Sequence, residues 1–173
     1  MPQPLCSALL EKIHEQIERA DHLMSMLPEA SQDWTPALPG ARPLGWLLAH
    51  IQDCLAGFCA VLYAVRPVEL AHFSKLCDEG MPASCGIAEA RARMAVYRDR
   101  IDEGFAALAD EDLSRRLATV FVLEGEMVMT LLLGNLEHLV SHKYQLFVYV
   151  RMAGVEAGTR DLYQFRNQKT ERM

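Results

Sequence analysis

The chain has 173 residues with a formal net charge of -6 at pH 7, and 51% of its residues are apolar while 23% are charged. This composition is typical of one globular domain and excludes intrinsic disorder, collagen and low-complexity repeats. Only four of the 17 basic residues are lysines, and no Lys/Arg cluster forms a binding surface for nucleic acid or anionic lipid.

The cysteines and the N-terminus predict a cytoplasmic protein. The five cysteines form no CxxC pair and no regular spacing, so no disulfide framework is expected. The N-terminus lacks the basic and apolar regions of a signal peptide. Residues 43–65 and 127–152 are apolar enough to consider as membrane spans, but polar residues interrupt both. We therefore predict buried helices of a soluble protein and no membrane partner.

Proline placement and apolar periodicity predict four long helices. Proline interrupts helix interiors, and all eight prolines lie at or before residue 82. Apolar residues at steps of three and four predict helices over residues 5–27, 43–65, 87–108 and 126–152. We also expect a short helix over 68–78, either an extended stretch or a loop over 120–123, and a docking segment containing Leu162, Tyr163 and Phe165.

The fold class predicted from these elements is an all-α four-helix bundle with short extra helices. Residues 1–167 form the single predicted domain, and residues 168–173 form a polar tail. The connection between the second and third helices is long, which indicates a topology other than simple up-and-down.

The fourth predicted helix carries a stripe of polar residues in an otherwise apolar sequence. A helix that is apolar all round is normally buried. Its polar residues recur at steps of three, four, three and four, which places them on one face: Asn135, His138, His142, Gln145 and Tyr149. A buried polar group without a partner costs ~1–3 kcal/mol, so these groups must be paired, hydrated or bound to a ligand.

Two histidines of this stripe have the spacing of metal ligands. His138 and His142 are four residues apart, so imidazoles from consecutive helical turns can reach one ion. His50, in the predicted second helix, is the best third ligand, and Asp53 lies one turn further along, where it can orient an imidazole. The alternative is a hydrogen-bonded polar core network without a metal.

Two segments of the chain resemble the DinB superfamily of small helical-bundle proteins. The first, DWTPALPGARPLGWLLAHIQDCLAGF at 33–58, is similar to the family's tryptophan-containing loop that leads into a helix with a metal-binding histidine. The second, LLGNLEHLVSHKYQLFVYVRMAGV at 132–155, is similar to the family's HxxxHxxQ helix, which ends in an arginine and a glycine.

The resemblance implies a four-helix bundle of DinB-like type with a long crossover connection. It also implies a divalent metal ion, either zinc, nickel or iron, held by His50, His138 and His142, with Gln145 at the family's glutamine position. Some members of the superfamily are thiol transferases, so a low-molecular-weight thiol such as bacillithiol, mycothiol or glutathione is the implied co-substrate. The sequence departs from the pattern at Tyr144, where many members have glycine, so helix contacts there must differ.

The expected function is that of a bacterial metal-dependent enzyme of thiol S-transferase or hydrolase type. A small molecule is the expected substrate, in a pocket formed by Trp46, Asn135 and Tyr149. The alternative is a non-catalytic bundle, with a structural metal or a polar network, that works through protein partners. A homodimer fits a bundle this apolar. The acidic charge argues against the nucleic-acid role that the family name suggests.

Overall fold

The computed structural model describes residues 4–75, 82–119 and 122–163, and within them the chain forms four long helices. The helices are α1 (Pro4–Ser25), α2 (Leu44–Val65), α3 (Ile87–Ala106) and α4 (Val128–Met152), followed by the short helix α5 (Thr159–Tyr163). The all-α prediction is confirmed, and the bounds of each long helix lie within two residues of those predicted. Short 3₁₀ helices occupy parts of the connections, at Glu29–Ser31, Ala71–Phe73 and Asp110–Ser114.

Helices α2 and α3 run in the same direction, which requires a long crossover between them. Near the start of both helices, the Cys85 amide donates to the Gly45 carbonyl at 3.1 Å. Towards their ends, Gly104 of α3 lies against Leu62 of α2. The connection over residues 66–86 must therefore return along the roughly 30 Å length of α2. This confirms that the topology is not simple up-and-down.

Two further neighbouring pairs, α1–α3 and α2–α4, run antiparallel. The order of the helices around the bundle is α1, α3, α2, α4. At one end of α2, the Tyr149 hydroxyl of α4 donates to the Arg42 carbonyl at 3.1 Å. Further along α2, Gly57 lies against Asn135. Paired side chains likewise run in opposite order along α1 and α3: Asp21–Arg91, Glu18–Arg98 and His14–Asp102.

Helix α2 is the most buried of the long helices, and it packs against both α3 and α4. Its fully buried side chains include Leu47, Ile51, Phe58 and Leu62. By length and composition alone α2 could cross a membrane, but 56% of its apolar window is buried within the bundle. A core helix of a globular protein has the same length and composition, and the sequence predicts a buried helix for this segment.

Helix α4 is not buried all round, contrary to the expectation from its composition. Leu132, Leu139, Leu146 and Val150 are fully buried, whereas the opposite face exposes Leu133, Val140, Tyr144 and Met152. The reason is that α4 packs only against α1 and α2 among the long helices, so half of its circumference faces outward. Tyr144 is 56% exposed on this outer face, so solvent accommodates the ring that replaces the family's glycine.

The remaining connections are only partly as expected. Arg116–Leu117 pairs antiparallel with Glu126–Met127 in a two-stranded hairpin that the sequence patterns did not predict. Residues 120 and 121 lie outside the described part of the chain, as do residues 76–78 of the short helix expected over 68–78. Leu162 of α5 is buried, in line with the docking prediction, and Phe165 lies outside the described residues. The four described cysteines, Cys6, Cys54, Cys59 and Cys85, are all buried.

Asp112 is a buried carboxylate that ties the connection after α3 to the end of α2. It accepts hydrogen bonds from Arg66, from the Ala109 amide at 2.9 Å and from Arg115 at 3.2 Å. Burial by itself raises the pKa of Asp112, but these hydrogen bonds outweigh it, and the net pKa lies below its usual value. The charged form of Asp112 therefore stabilises the fold.

We expect Asp112→Asn to reduce the free energy of unfolding by about 2 kcal/mol at pH 7, because charged hydrogen bonds are lost. The contribution of Asp112 is fully present above the unfolded-state pKa of about 3.9 and is lost as the pH falls through the lower folded-state pKa. Urea unfolding at several pH values measures both effects. Glu111→Gln, at the exposed neighbouring residue, is the control, and equal stability of the two variants would contradict the assignment.

Two helical glycines should respond oppositely to an added methyl group. A Cβ at Gly104 would lie 2.6 Å from the Leu62 side chain, whereas one at Gly134 would have nothing within 4 Å. We expect Gly104→Ala to destabilise the protein by about 1–3 kcal/mol through overpacking. Gly134→Ala should stabilise it by about 0.5–1 kcal/mol, since alanine favours helix. Thermal and urea unfolding of both variants measure the difference, and destabilisation by both would refute this description of the packing.

Candidate metal centre

The structure brings His50, His138 and His142 together at the interface of α2 and α4. One ring nitrogen from each lies within 4.8 Å of the other two. The ring centroid of His50 is 5.2 Å from that of His138 and 4.4 Å from that of His142. The centroids of His138 and His142 are 4.7 Å apart. His138 is exposed while the other two are half-buried, so the cluster opens to solvent on one side.

Hydrogen bonds orient two of the three imidazoles. The Nδ1 of His50 lies 3.1 Å from Oδ2 of Asp53, and the Nδ1 of His142 lies 2.9 Å from Oε1 of Gln145. With these oxygens as acceptors, each Nδ1 carries its hydrogen and each Nε2 presents a lone pair. This is the arrangement in which a carboxylate or amide fixes the tautomer of a metal-binding histidine. Both supporting residues that the sequence predicted are thus in hydrogen-bonding contact with a predicted ligand.

The surroundings favour the neutral form of His142. Burial lowers its pKa, and the nearby His50 and His138 lower it further, while the hydrogen bond to Gln145 acts in the opposite direction. Neutral imidazole is the form that binds a metal ion. The donor set of three imidazole nitrogens suits zinc, nickel and iron, so the chemistry of the cluster fits a divalent ion.

Aromatic residues extend the site towards the start of α2. The Trp46 ring stacks on the His50 ring with centroids 4.9 Å apart and an interplanar angle of 19°. The Arg42 guanidinium lies over the Trp46 indole, 5.7 Å from the ring centroid. The sequence patterns did not point to Arg42. Arg42 precedes the first residue of α2, so no helical spacing in the sequence marked it.

The other predicted pocket residues occupy different positions around the cluster. Tyr149 is buried and packs edge-on against Trp34, with ring centroids 5.9 Å apart. Asn135 is half-buried beside Gly57, where an added Cβ would lie only 2.9 Å from the Asn135 amide oxygen. Glycine at this position therefore allows α2 and α4 to approach closely one turn beyond the histidines. A pocket formed by Trp46, Asn135 and Tyr149 stays a prediction.

Neither the nearby cysteine nor the groove on the opposite side of the bundle competes with this site. Burial raises the pKa of Cys54 to about 12, so its thiol is not a reactive thiolate at neutral pH. A groove of about 240 Å³ lies between α1 and α3. Its charged side chains neutralise one another in the pairs Asp21–Arg91 and Glu18–Arg98.

The sequence profile of the DinB superfamily matches residues 12–146, a range that contains all three histidines. The chain belongs to the DinB superfamily. No curated protein matches it in sequence. Among solved structures, this DinB-superfamily chain is similar to the DinB-like protein YjoA from Bacillus subtilis, with a TM-score of 0.69 and 19% identity. That similarity covers 92% of this chain and 99% of YjoA.

The DinB-superfamily chain is also similar to the mycothiol-dependent maleylpyruvate isomerase and to a histidine-to-alanine mutant of that enzyme. The TM-scores are 0.55 and 0.56, at 15% and 14% identity, and both similarities cover 94% of this chain. The chain spans 65% of the isomerase's length. At these identities the structural likeness shows a shared fold.

The hydrogen bond between Gln145 and His142 generates a prediction about metal affinity. We expect Gln145→Ala to weaken zinc binding by about 10–100-fold, because His142 loses the acceptor that orients its ring. Gln145→Glu retains an acceptor at the same place and should bind zinc much more tightly than Gln145→Ala. Competition with a chromophoric chelator measures both affinities. Equal zinc affinity in the wild type and in Gln145→Ala would show that the bond has no such role.

Proposed function

We propose that this protein binds a divalent metal ion through His50, His138 and His142 and acts as a metal-dependent thiol S-transferase or hydrolase. The observation that carries the proposal is the convergence of three imidazole nitrogens within 4.8 Å, two of them on rings anchored by hydrogen bonds. The substrate is a small molecule, and the compartment is the cytoplasm, where cysteine thiols stay reduced.

Three neutral ligands support a reactive centre better than a purely structural one. Three imidazoles supply no negative charge and leave coordination positions open, whereas structural zinc sites have four protein ligands. A divalent ion in this site supplies Lewis acidity, which lowers the pKa of a bound water or thiol. The exposure of His138 leaves one side of the cluster accessible to a substrate.

A thiol of external origin is the proposed nucleophile for the transferase reaction. Cys54, which follows His50 by one turn, is buried, and its pKa of about 12 keeps it protonated. One structural relative is a mycothiol-dependent isomerase, which supports a low-molecular-weight thiol as the co-substrate. Asp53 is half exposed beside His50, so its carboxylate is placed to accept a proton as well as to orient the ring. Water in place of the thiol would give the hydrolase reaction.

The position of the cluster argues against the alternative of a polar core network without a metal. Such a network consists of buried groups that satisfy one another, but His138 is exposed. The hydrogen bonds of His50 and His142 use Nδ1 and leave Nε2 for another partner. A non-catalytic bundle would instead show a bound metal without turnover, and the activity measurement below separates these functions.

The first experiment is elemental analysis of protein purified without a histidine tag or chelator. We expect about one divalent ion per chain in the wild type and none in the His138→Ala/His142→Ala double variant. His72→Ala is the matched control, since it removes a histidine that pairs with Glu103 at 2.9 Å outside the cluster. The absence of metal from the wild type, even after incubation with zinc, nickel or iron salts, would refute the proposal.

The second measurement is steady-state turnover of small thiols with electrophilic substrates by the metal-loaded protein. We expect His142→Ala to abolish turnover and His72→Ala to leave it unchanged. Hydrolysis of small esters and amides is assayed in parallel to separate the two reaction types. A His142→Ala protein that melts at a lower temperature, with no activity in the wild type to lose, would favour the non-catalytic function.

A further inference from the structure

We propose that Arg42 binds an anionic group of the substrate or thiol co-substrate, so that this site takes carboxylate-bearing small molecules. The inference rests on the proposed function and names the substrate class for the same site. It starts from two contacts that lead away from the histidine cluster: the Trp46 indole stacks on the His50 imidazole, and the Arg42 guanidinium lies over the indole.

These two contacts place a positive charge next to the ring that stacks on His50. The guanidinium is 5.7 Å from the Trp46 centroid, which is itself 4.9 Å from the His50 centroid. Cation–π contact with the indole holds the guanidinium plane, and its N–H groups remain available at the edge. A planar fork of donors matches a carboxylate in a two-bond geometry that a lysine ammonium cannot reproduce.

The backbone at Arg42 is held by the same helix that supplies two of the histidines. The buried Tyr149 of α4 donates its hydroxyl hydrogen to the Arg42 carbonyl at 3.1 Å. Two residues later the Leu44 amide donates to the Trp34 carbonyl at 2.8 Å, and the Trp34 ring packs against Tyr149. Arg42 is therefore positioned relative to His142 by contacts that do not involve its own side chain.

The charge of Arg42 is not neutralised within the part of the chain that the structure describes. Seven other arginines there lie in ion pairs with carboxylates: Arg19, Arg66, Arg91, Arg93, Arg98, Arg100 and Arg115. No described carboxylate forms an ion pair with Arg42, and its side chain is exposed. An exposed guanidinium that lies over an aromatic ring, without a counter-ion, is a suitable partner for a ligand anion.

The charges around the histidines have opposite signs at the two ends. Asp53 pairs with His50 on the side towards the middle of α2, and Arg42 lies beyond Trp46 at the start of that helix. A ligand carboxylate is repelled by Asp53 and attracted by Arg42, so its anionic end points towards the start of α2. The reacting end then lies at the histidines.

The test uses thiols that differ only in this charge. Zinc-loaded protein is titrated calorimetrically with ω-mercaptocarboxylates of three to eight carbons and with the corresponding primary amides. We expect the acid to bind about tenfold more tightly than its amide when its carbon chain is long enough to reach from the histidines to the Arg42 guanidinium. The shortest acid and its amide should bind with nearly equal affinity. Arg42→Gln should remove this preference while leaving the affinity for the amide unchanged.

Arg151→Gln is the control, because Arg151 also lies over an aromatic ring, that of Phe147, but near the end of α4 on its outer face. It should retain the full preference for the acid. Thermal unfolding should show that both variants keep the wild-type stability, since Arg42 makes its contact with Tyr149 through its backbone.

The outcomes separate the two proposals. Equal binding of acid and amide by the wild type would refute the role of Arg42 and leave the metal–thiol site in place. A preference that persists in Arg42→Gln would also refute it, since the charge of the ion alone would then explain the preference. Failure of both acid and amide to bind the zinc-loaded protein would refute the proposed thiol chemistry and the inference with it.

Discussion

The close antiparallel packing of α2 against α4 is the constraint on which the candidate site depends. His50 is supplied by one helix and the His138–His142 pair by the other, so their convergence requires a fixed register between the two. Gly57 allows the close approach on one side of the cluster, where it faces Asn135. On the other side, the Tyr149 hydroxyl bonds to the Arg42 carbonyl. Interactions at both ends thus hold three imidazoles at one level of the bundle.

The topology separates this site from the interactions that stabilise the opposite side of the molecule. In the order α1, α3, α2, α4, the α1–α3 interface lies across the bundle from the α2–α4 interface. The α1–α3 side is held by charge pairs such as Asp21–Arg91. The α2–α4 side has an exposed histidine and an arginine that lies over an indole ring. Both sides of the bundle thus carry polar side chains, but the three histidines meet only at the α2–α4 interface.

The fold and the site carry different kinds of functional information. The match over residues 12–146 places the chain in the DinB superfamily, and the solved relatives share its architecture at low identity. A shared fold leaves substrate and reaction open, because function resides in the side chains of the site. Here these side chains are three imidazoles, a stacked indole and a guanidinium. Tyr144, where the sequence departs from the family pattern, lies on the outer face of α4, away from this group.

The sequence alone was sufficient to predict the four long helices and the ligand candidates, because both follow from local patterns. Proline positions and apolar periodicity predicted the first and last residue of each long helix to within two residues. The four-residue spacing placed His138 and His142 on one face of a helix. The position of His50 in the predicted second helix made it the third ligand candidate, and the resemblance to DinB proteins implied the same residue. The length of residues 66–86 indicated the crossover. These features depend on neighbours within a few turns of one helix, or on the length of a connection.

Only the tertiary structure decided how exposed these groups are and what they contact. Helix α4 is apolar enough to appear buried all round, but its place at the edge of the bundle leaves Leu133 and Val140 exposed and opens the site beside His138. The strands of the hairpin formed by Arg116–Leu117 and Glu126–Met127 are two residues long, which is too short to show an alternating pattern in the sequence. Arg42 acquired significance because Tyr149, 107 positions away in the chain, fixes its backbone beside Trp46. Packing between distant segments determines such contacts, and no local pattern encodes them.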